Sequence, residues 1–137
     1  MQYTSLNPTT YLLRLNRGEE IIQTIFDFCQ KQKIYSGWFQ GLGAVSSAKL
    51  ALYRLKDKKY FARHLRKPLE IASLFGIISQ EKLHAHCLLT NQLMKAYGGH
   101  LIKAIVSATG EVVLSAGDKK VGRVKDEDIG LELLDLP

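Results

Sequence analysis

Hydrophobic and polar positions alternate with period two in "TTYLLRLN", where Tyr11, Leu13 and Leu15 share one side, and the alternation predicts a strand. Past Gly18 the period changes. In "EEIIQTIFDFCQKQK", Ile21, Ile22, Ile25, Phe26, Phe28 and Cys29 recur at helical spacing. Glu19 and Glu20 suit the positive end of a helix dipole there, and Lys31 and Lys33 suit the negative end. A long N-terminal helix is expected, with Cys29 on its buried side. From Gly37 onward strand patterns return in "GWFQGLGAVSSAKLALYRL", "KYFARHLRK", "LEIASLFGIIS", "KLHAHCLLT" and "GHLIKAIVSATGEVVLSAG". Glu81 and Lys82 separate two strongly apolar runs, which predicts a hairpin turn between antiparallel neighbours. The tail "DEDIGLELLDLP" adds a short final strand. The Gly41-x-Gly43 pair reads as a bulge or turn, or as the floor of a ligand loop.

One helix followed by a large, mainly antiparallel or mixed sheet is an α+β arrangement. The 137 residues fit a single domain spanning 1–137, with no internal repeat or Pro/Gly/Ser linker. A composition of 46% hydrophobic and 23% charged residues supports a folded core and excludes disorder. A single helix cannot cover so large a sheet. Oligomerisation through a symmetric interface is the expected way to bury the remaining apolar side.

The start "MQYTSLNPTT" has no basic segment followed by an apolar one, and no window approaches the roughly 18 apolar residues of a membrane span. Cys29 and Cys87 stand far apart and form no C-x-x-C motif, so reduced thiols and a cytoplasmic location are expected.

The 19 basic against 13 acidic side chains leave a charge of +6, which favours polyanionic partners. Seven bases fall in "RLKDKKYFARHLRK" between Arg54 and Lys67, and Lys119, Lys120, Arg123 and Lys125 form a second cluster. Lys58, Lys59, Arg63 and Lys67 are the candidate phosphate contacts. A lysine-rich edge strand kept soluble and unpaired explains the same run. No recognition helix, zinc finger or AT-hook accompanies it, so base reading by this chain is not expected.

"LHAHCLLT" carries the most specific chemistry. In a strand, residues i and i+2 share a side, so His84 and His86 project together with α-carbons roughly 7 Å apart, while Leu83, Ala85 and Cys87 face the core. Two such imidazoles can simply meet solvent, or they can converge on an ion if a third ligand approaches. His100 is the candidate third ligand, because Gly98 and Gly99 before it allow close backbone approach. Three neutral imidazoles favour zinc or another late divalent ion and leave the fourth position open. His64, in the basic run, reads as a surface residue.

The order of these segments resembles the PPC (plants and prokaryotes conserved) domain family over most of the chain. The resemblance rests on the opening strand, "RGEEIIQTIFDFC", "GWFQGLGAVSSAKLALY", "LEIASLFGIIS", "LHAHCLL" and "GGHLIKAIVSATGEVVL". It implies a sandwich-like domain assembling as a homotrimer, and a metal site at His84, His86 and His100 as in many prokaryotic members. Plant members of the family join the domain to AT-hooks and bind nuclear DNA, but lack the histidine trio. The chain departs from the family pattern at Ile77, a position often polar in prokaryotic relatives.

Two functions follow as expectations. One is a metal-dependent activity or small-molecule site, with Glu111 as the candidate acid or base and Glu70 as a second. The other is a nucleic-acid-associated oligomer that grips phosphate without reading sequence.

Overall fold

A computed structural model describes residues 1–80 and 82–137. The strands are β1 (Gln2–Asn7), β2 (Thr10–Asn16), β3 (Ser36–Arg54), β4 (Lys59–Leu65), β5 (Leu69–Ser79), β6 (Leu83–Thr90), β7 (Ala96–Ala116), β8 (Arg123–Asp126) and β9 (Leu131–Leu134). One α-helix, α1 (Ile21–Gln32), stands between β2 and β3.

The helix has 12 residues and is short rather than long. The stretch from Glu19 to Lys33 is trimmed at both ends by capping. The Glu20 carboxylate accepts from the backbone N–H groups of Ile22 and Gln23, which would otherwise lack partners in the first turn. Lys33 turns left-handed at φ 58°, and the Ile34 N–H then donates back to the Cys29 carbonyl. Between the caps, Ile21, Ile25, Phe28 and Cys29 are buried, a stripe at helical spacing lying mainly against β7. Each large side chain in that stripe contributes about 1.5–3 kcal/mol by leaving water.

Strand order in the main sheet is β1-β2-β7-β6-β5-β3-β4, all neighbours antiparallel, with a further β7–β3 pairing. The pairings β3–β5, β5–β6, β6–β7 and β7–β3 therefore close on themselves. Such closure demands that β3 and β7 serve two neighbours each. Bulges allow it: the register of β3 slips between Gly41 and Gly43 against β5, and again past Gly43 against β7. Gly41-x-Gly43 is thus a bulge within β3.

Fully buried Phe39, Leu13, Leu15, Leu74, Ile78, Leu89, Val106 and Leu114 fill the core. Leu12, Trp38, Leu42, Phe75 and Leu88, each next to a core position on its strand, stay exposed. These are the apolar positions that one helix leaves uncovered, and Trp38 and Phe75 stack on one another there at 6.1 Å.

The expected Glu81–Lys82 turn falls partly on Glu81, which lies outside the described residues; the strands on either side are antiparallel neighbours. β1 pairs with β2 alone, and its six residues are all exposed, so it carries no apolar alternation to announce it. The tail forms a separate two-stranded hairpin, β8–β9. No described helix is long and apolar enough to cross a membrane.

Candidate metal centre

β6 alternates strictly. Leu83, Ala85, Cys87 and Leu89 are buried, while His84, His86 and Leu88 are exposed. Its imidazoles therefore stand on the side away from α1. β7 supplies the third ring through register: His86 pairs directly with His100 across the β6–β7 ladder. His100 is the fifth residue of β7, which begins at Ala96.

Gly99 makes that register possible. Its φ is +155°, and a Cβ built there would lie 2.9 Å from the Ala51 carbonyl oxygen of β3. Any larger residue would push β7 off β3 beside His100, whose own partner on β3 is Ala51.

The ring centroids of the three histidines lie 5.1 Å (His84–His86), 5.1 Å (His84–His100) and 5.6 Å (His86–His100) apart. One nitrogen from each lies within 4.8 Å of the other two. Tetrahedral zinc with bonds of about 2.0–2.1 Å needs its ligand nitrogens roughly 3.3 Å apart, so modest ring rotations complete the contraction. His100 Nδ1 is buried and has no hydrogen-bond partner among the described residues. An unpaired buried nitrogen costs stability, and a cation held by these rings is one arrangement that engages its ring.

Burial and neighbouring positive charge favour the neutral, lone-pair-bearing forms of His84 and His100. Burial, then the charges His84 and His86 would carry, push the His100 imidazole down to about 4. His84 is lowered as well, by burial first and then by His86, Arg123 and Lys82. The nearby thiol is no ligand: Cys87 points into the core, and burial pushes its pKa up to about 11.

Beside the histidines lies a cleft of about 350 Å³, bordered by His84, His100, Tyr60, Lys82, Arg123 and Glu132. The Tyr60 ring from β4 leans against His100 with centroids 5.1 Å apart. Apolar walls come from Ile77, the β5 partner of His84, and from Leu131, Leu133 and Leu134 of the β8–β9 hairpin. Tyr60, Lys82, Arg123 and Glu132 are residues that sequence reasoning missed. Arg123 stood in a run of bases with nothing to separate it from a solvated lysine, and Glu132 sat in a short apolar tail.

The structure does not bring the expected carboxylates here. Glu111 pairs with Arg14 on β2 and Leu42 on β3, near the opposite end of β7, and borders a different depression with Leu12 and Phe75. Eleven residues of extended strand from His100 correspond to about 35 Å. Glu70 lies at the start of β5 beside Lys67, bordering another depression. His64 faces solvent on β4.

The four phosphate candidates divide. Lys59 and Arg63 are exposed on β4, an edge strand that pairs only with β3. Lys58 donates to the Glu127 carbonyl, and Lys67 donates to the Tyr97 hydroxyl. The second cluster is split too: Lys125 pairs with Glu127, Lys120 stands over the Tyr35 ring, and Arg123 turns to the cleft.

Comparison with known proteins places the fold. A candidate DNA-binding protein from Bacteroides thetaiotaomicron is similar at 30% identity, over 98% of this chain and 96% of that one, with a TM-score of 0.94. A metal-containing protein from Archaeoglobus fulgidus is similar at 34% identity, over 97% of each chain, with a TM-score of 0.84. The bifunctional protein GlmU of Synechococcus sp. strain JA-3-3Ab is 32% identical over 108 residues, 77% of this chain; the chain spans only 17% of that relative's length. The sequence pattern of the Plants and Prokaryotes Conserved domain matches residues 3–117, from β1 to just past the end of β7, and the chain belongs to that family.

Proposed function

We propose that the chain is a metal-binding protein that holds one divalent ion on His84, His86 and His100. The observation that carries this reading is the convergence of one nitrogen from each ring within 4.8 Å. Three neutral imidazoles with no thiolate favour zinc. Among the described residues no carboxylate or thiol joins the cluster, so the fourth position is left to water or a ligand. A zinc ion there would lower the pKa of its bound water toward 7 and act as a Lewis acid. The metal-containing Archaeoglobus relative supports the reading from outside the chain.

Metal analysis of protein purified without a nickel column tests it. About one ion per chain is expected in the parent, and much less in His84→Ala and His100→Ala. A metal-free parent that takes up no zinc on titration would overturn it.

A homotrimer is part of the proposal. The stacked pair Trp38 and Phe75, with Leu12, Leu42 and Leu88, is the apolar surface such an assembly would bury.

A second reading, association with nucleic acid, is favoured by the DNA-binding description of the Bacteroides relative and by the exposed bases Lys59 and Arg63 on an open strand edge. Contacts from those residues would be to phosphate. Affinity would then fall steeply with salt and depend little on sequence.

A further inference from the structure

We infer that the C-terminal β8–β9 hairpin is the ligand-selecting wall of the histidine cleft, and that it selects a small aliphatic carboxylate, with Arg123 anchoring the anion beside the fourth metal position. The inference rests on the metal reading and adds to it the class of ligand. Residues 3–117 carry the family pattern, while Arg123, Leu131, Glu132, Leu133 and Leu134 all lie beyond it. The matched segment provides the histidines, and the hairpin closes the space next to them.

Arg123 is held rather than loose. Its Nε donates to Ser79 Oγ at 2.9 Å, and its Nη1 donates to the Glu132 carbonyl at 2.8 Å. Ser79 is itself buried, and its hydroxyl donates to the Lys82 carbonyl at 2.7 Å. The guanidinium is therefore fixed at the border between the main sheet and the hairpin. Among the described residues its Nη2 has no acceptor, and those N–H groups are the ones available for a carboxylate.

Charge points the same way. Glu132, the one carboxylate among the described lining residues, pairs with Lys82 at 2.8 Å and also feels the Arg123 charge without an ion pair to it, so two cations share one carboxylate and the cleft keeps an excess of positive charge. A divalent ion on the histidines would add two further positive charges, and an anion spanning both would meet charge at each end. The rest of the wall is apolar, formed by Ile77, Leu131, Leu133 and Leu134. That combination suits a small anion with an aliphatic body better than a fully hydrated phosphate, and 350 Å³ is within the range of small-ligand sites.

The test uses full-length protein loaded with Co(II), whose visible spectrum reports changes at the fourth position, together with calorimetry on the zinc form. Acetate and butyrate are titrated against their neutral counterparts, acetamide and butyramide, and against inorganic phosphate. Butyrate should perturb the spectrum and bind about tenfold more tightly than acetate, because two more methylenes leave water. The amides and phosphate should bind far more weakly. Arg123→Met should weaken butyrate at least about tenfold while metal affinity is unchanged. Arg123→Lys, which keeps the charge and loses the fork, should fall between, and it remains informative if Arg123→Met does not fold. Normal Co(II) uptake with no carboxylate response, an equal response in every Arg123 variant, or phosphate or amide binding as tight as butyrate would each overturn the inference alone. Failure of the parent to take up Co(II) would overturn the metal reading and the inference with it.

Discussion

His86 and His100 stand directly opposite one another across the β6–β7 ladder, with ring centroids 5.6 Å apart. Neither is a near neighbour of the other along the chain. Their approach is set by backbone pairing, so the histidine cluster is as rigid as the sheet beneath it.

Removing either ring should therefore cost metal affinity without unfolding the strand. In His86→Ala and His100→Ala, zinc affinity measured by competition with a chromophoric chelator should fall more than about a hundredfold, since loss of an outer hydrogen-bond partner alone costs about 10–100-fold. Conversely, zinc at 100 times its dissociation constant should raise the stability of the parent by about 2.7 kcal/mol.

Gly99 should tolerate no side chain. Gly99→Ala puts a Cβ 2.9 Å from the Ala51 carbonyl oxygen in a backbone region that L residues avoid. Urea denaturation should show a loss of about 1–3 kcal/mol, accompanied by weaker zinc binding. Gly98→Ala is the control. Its Cβ would approach nothing closer than Leu88 Cδ1 at 3.4 Å, and it should change stability little.

The metal-free protein should lose stability on mild acidification. The unfolded chain takes up protons at His100 as the pH falls through 6.5, whereas the folded chain resists until about 4. His84 is shifted in the same direction. Protons thus favour the unfolded state between those limits, and the stability present above pH 6.5 declines toward pH 4. The unfolding free energy from urea titrations in the presence of a chelator should drop from pH 7 to pH 5 by an amount on the order of 1 kcal/mol, after allowance for solvent screening. His100→Gln should flatten this part of the profile.

If nucleic acid is a partner, the exposed bases of β4 should set its salt dependence. Each phosphate contact contributes about 0.9 to the slope of log affinity against log salt. Neutralising Lys59 and Arg63 together should lower that slope by about two per chain and weaken all duplex sequences alike. No binding of the parent to duplex at low salt would remove this reading.

The exposed aromatic pair should report on assembly. Light scattering should give a mass three times that of the chain, and Phe75→Asp should shift it toward monomer with an unchanged far-UV spectrum. A parent that stays monomeric across a dilution series would rule out the trimer.

Local chemistry is what made the central elements legible. The period-two pattern of "LHAHCLL" assigns His84 and His86 to one side and Leu83, Ala85 and Cys87 to the other, because strand geometry repeats every two residues whatever the strand pairs with. The helix was legible for the same reason, and its ends were misjudged because Glu20 acts as a cap rather than as a helical residue. An acid at the head of an apolar run singles out Glu111 in the sequence. Once β7 is laid out as one strand of 21 residues, that acid lies at the other end from His100.

Amino-acid order alone thus determined the α+β composition, the inward and outward sides of β2 and β6, and the two histidines that share a side. Only the tertiary structure decided that His100, and no other residue of β7, stands opposite His86, because register depends on bulges in β3 and on the close approach at Gly99. It likewise decided that Tyr60, Lys82, Arg123 and the C-terminal hairpin surround the site. Those residues come from three separate segments, since Arg123 belongs to the hairpin, and no periodicity within a segment records which other segment it will meet.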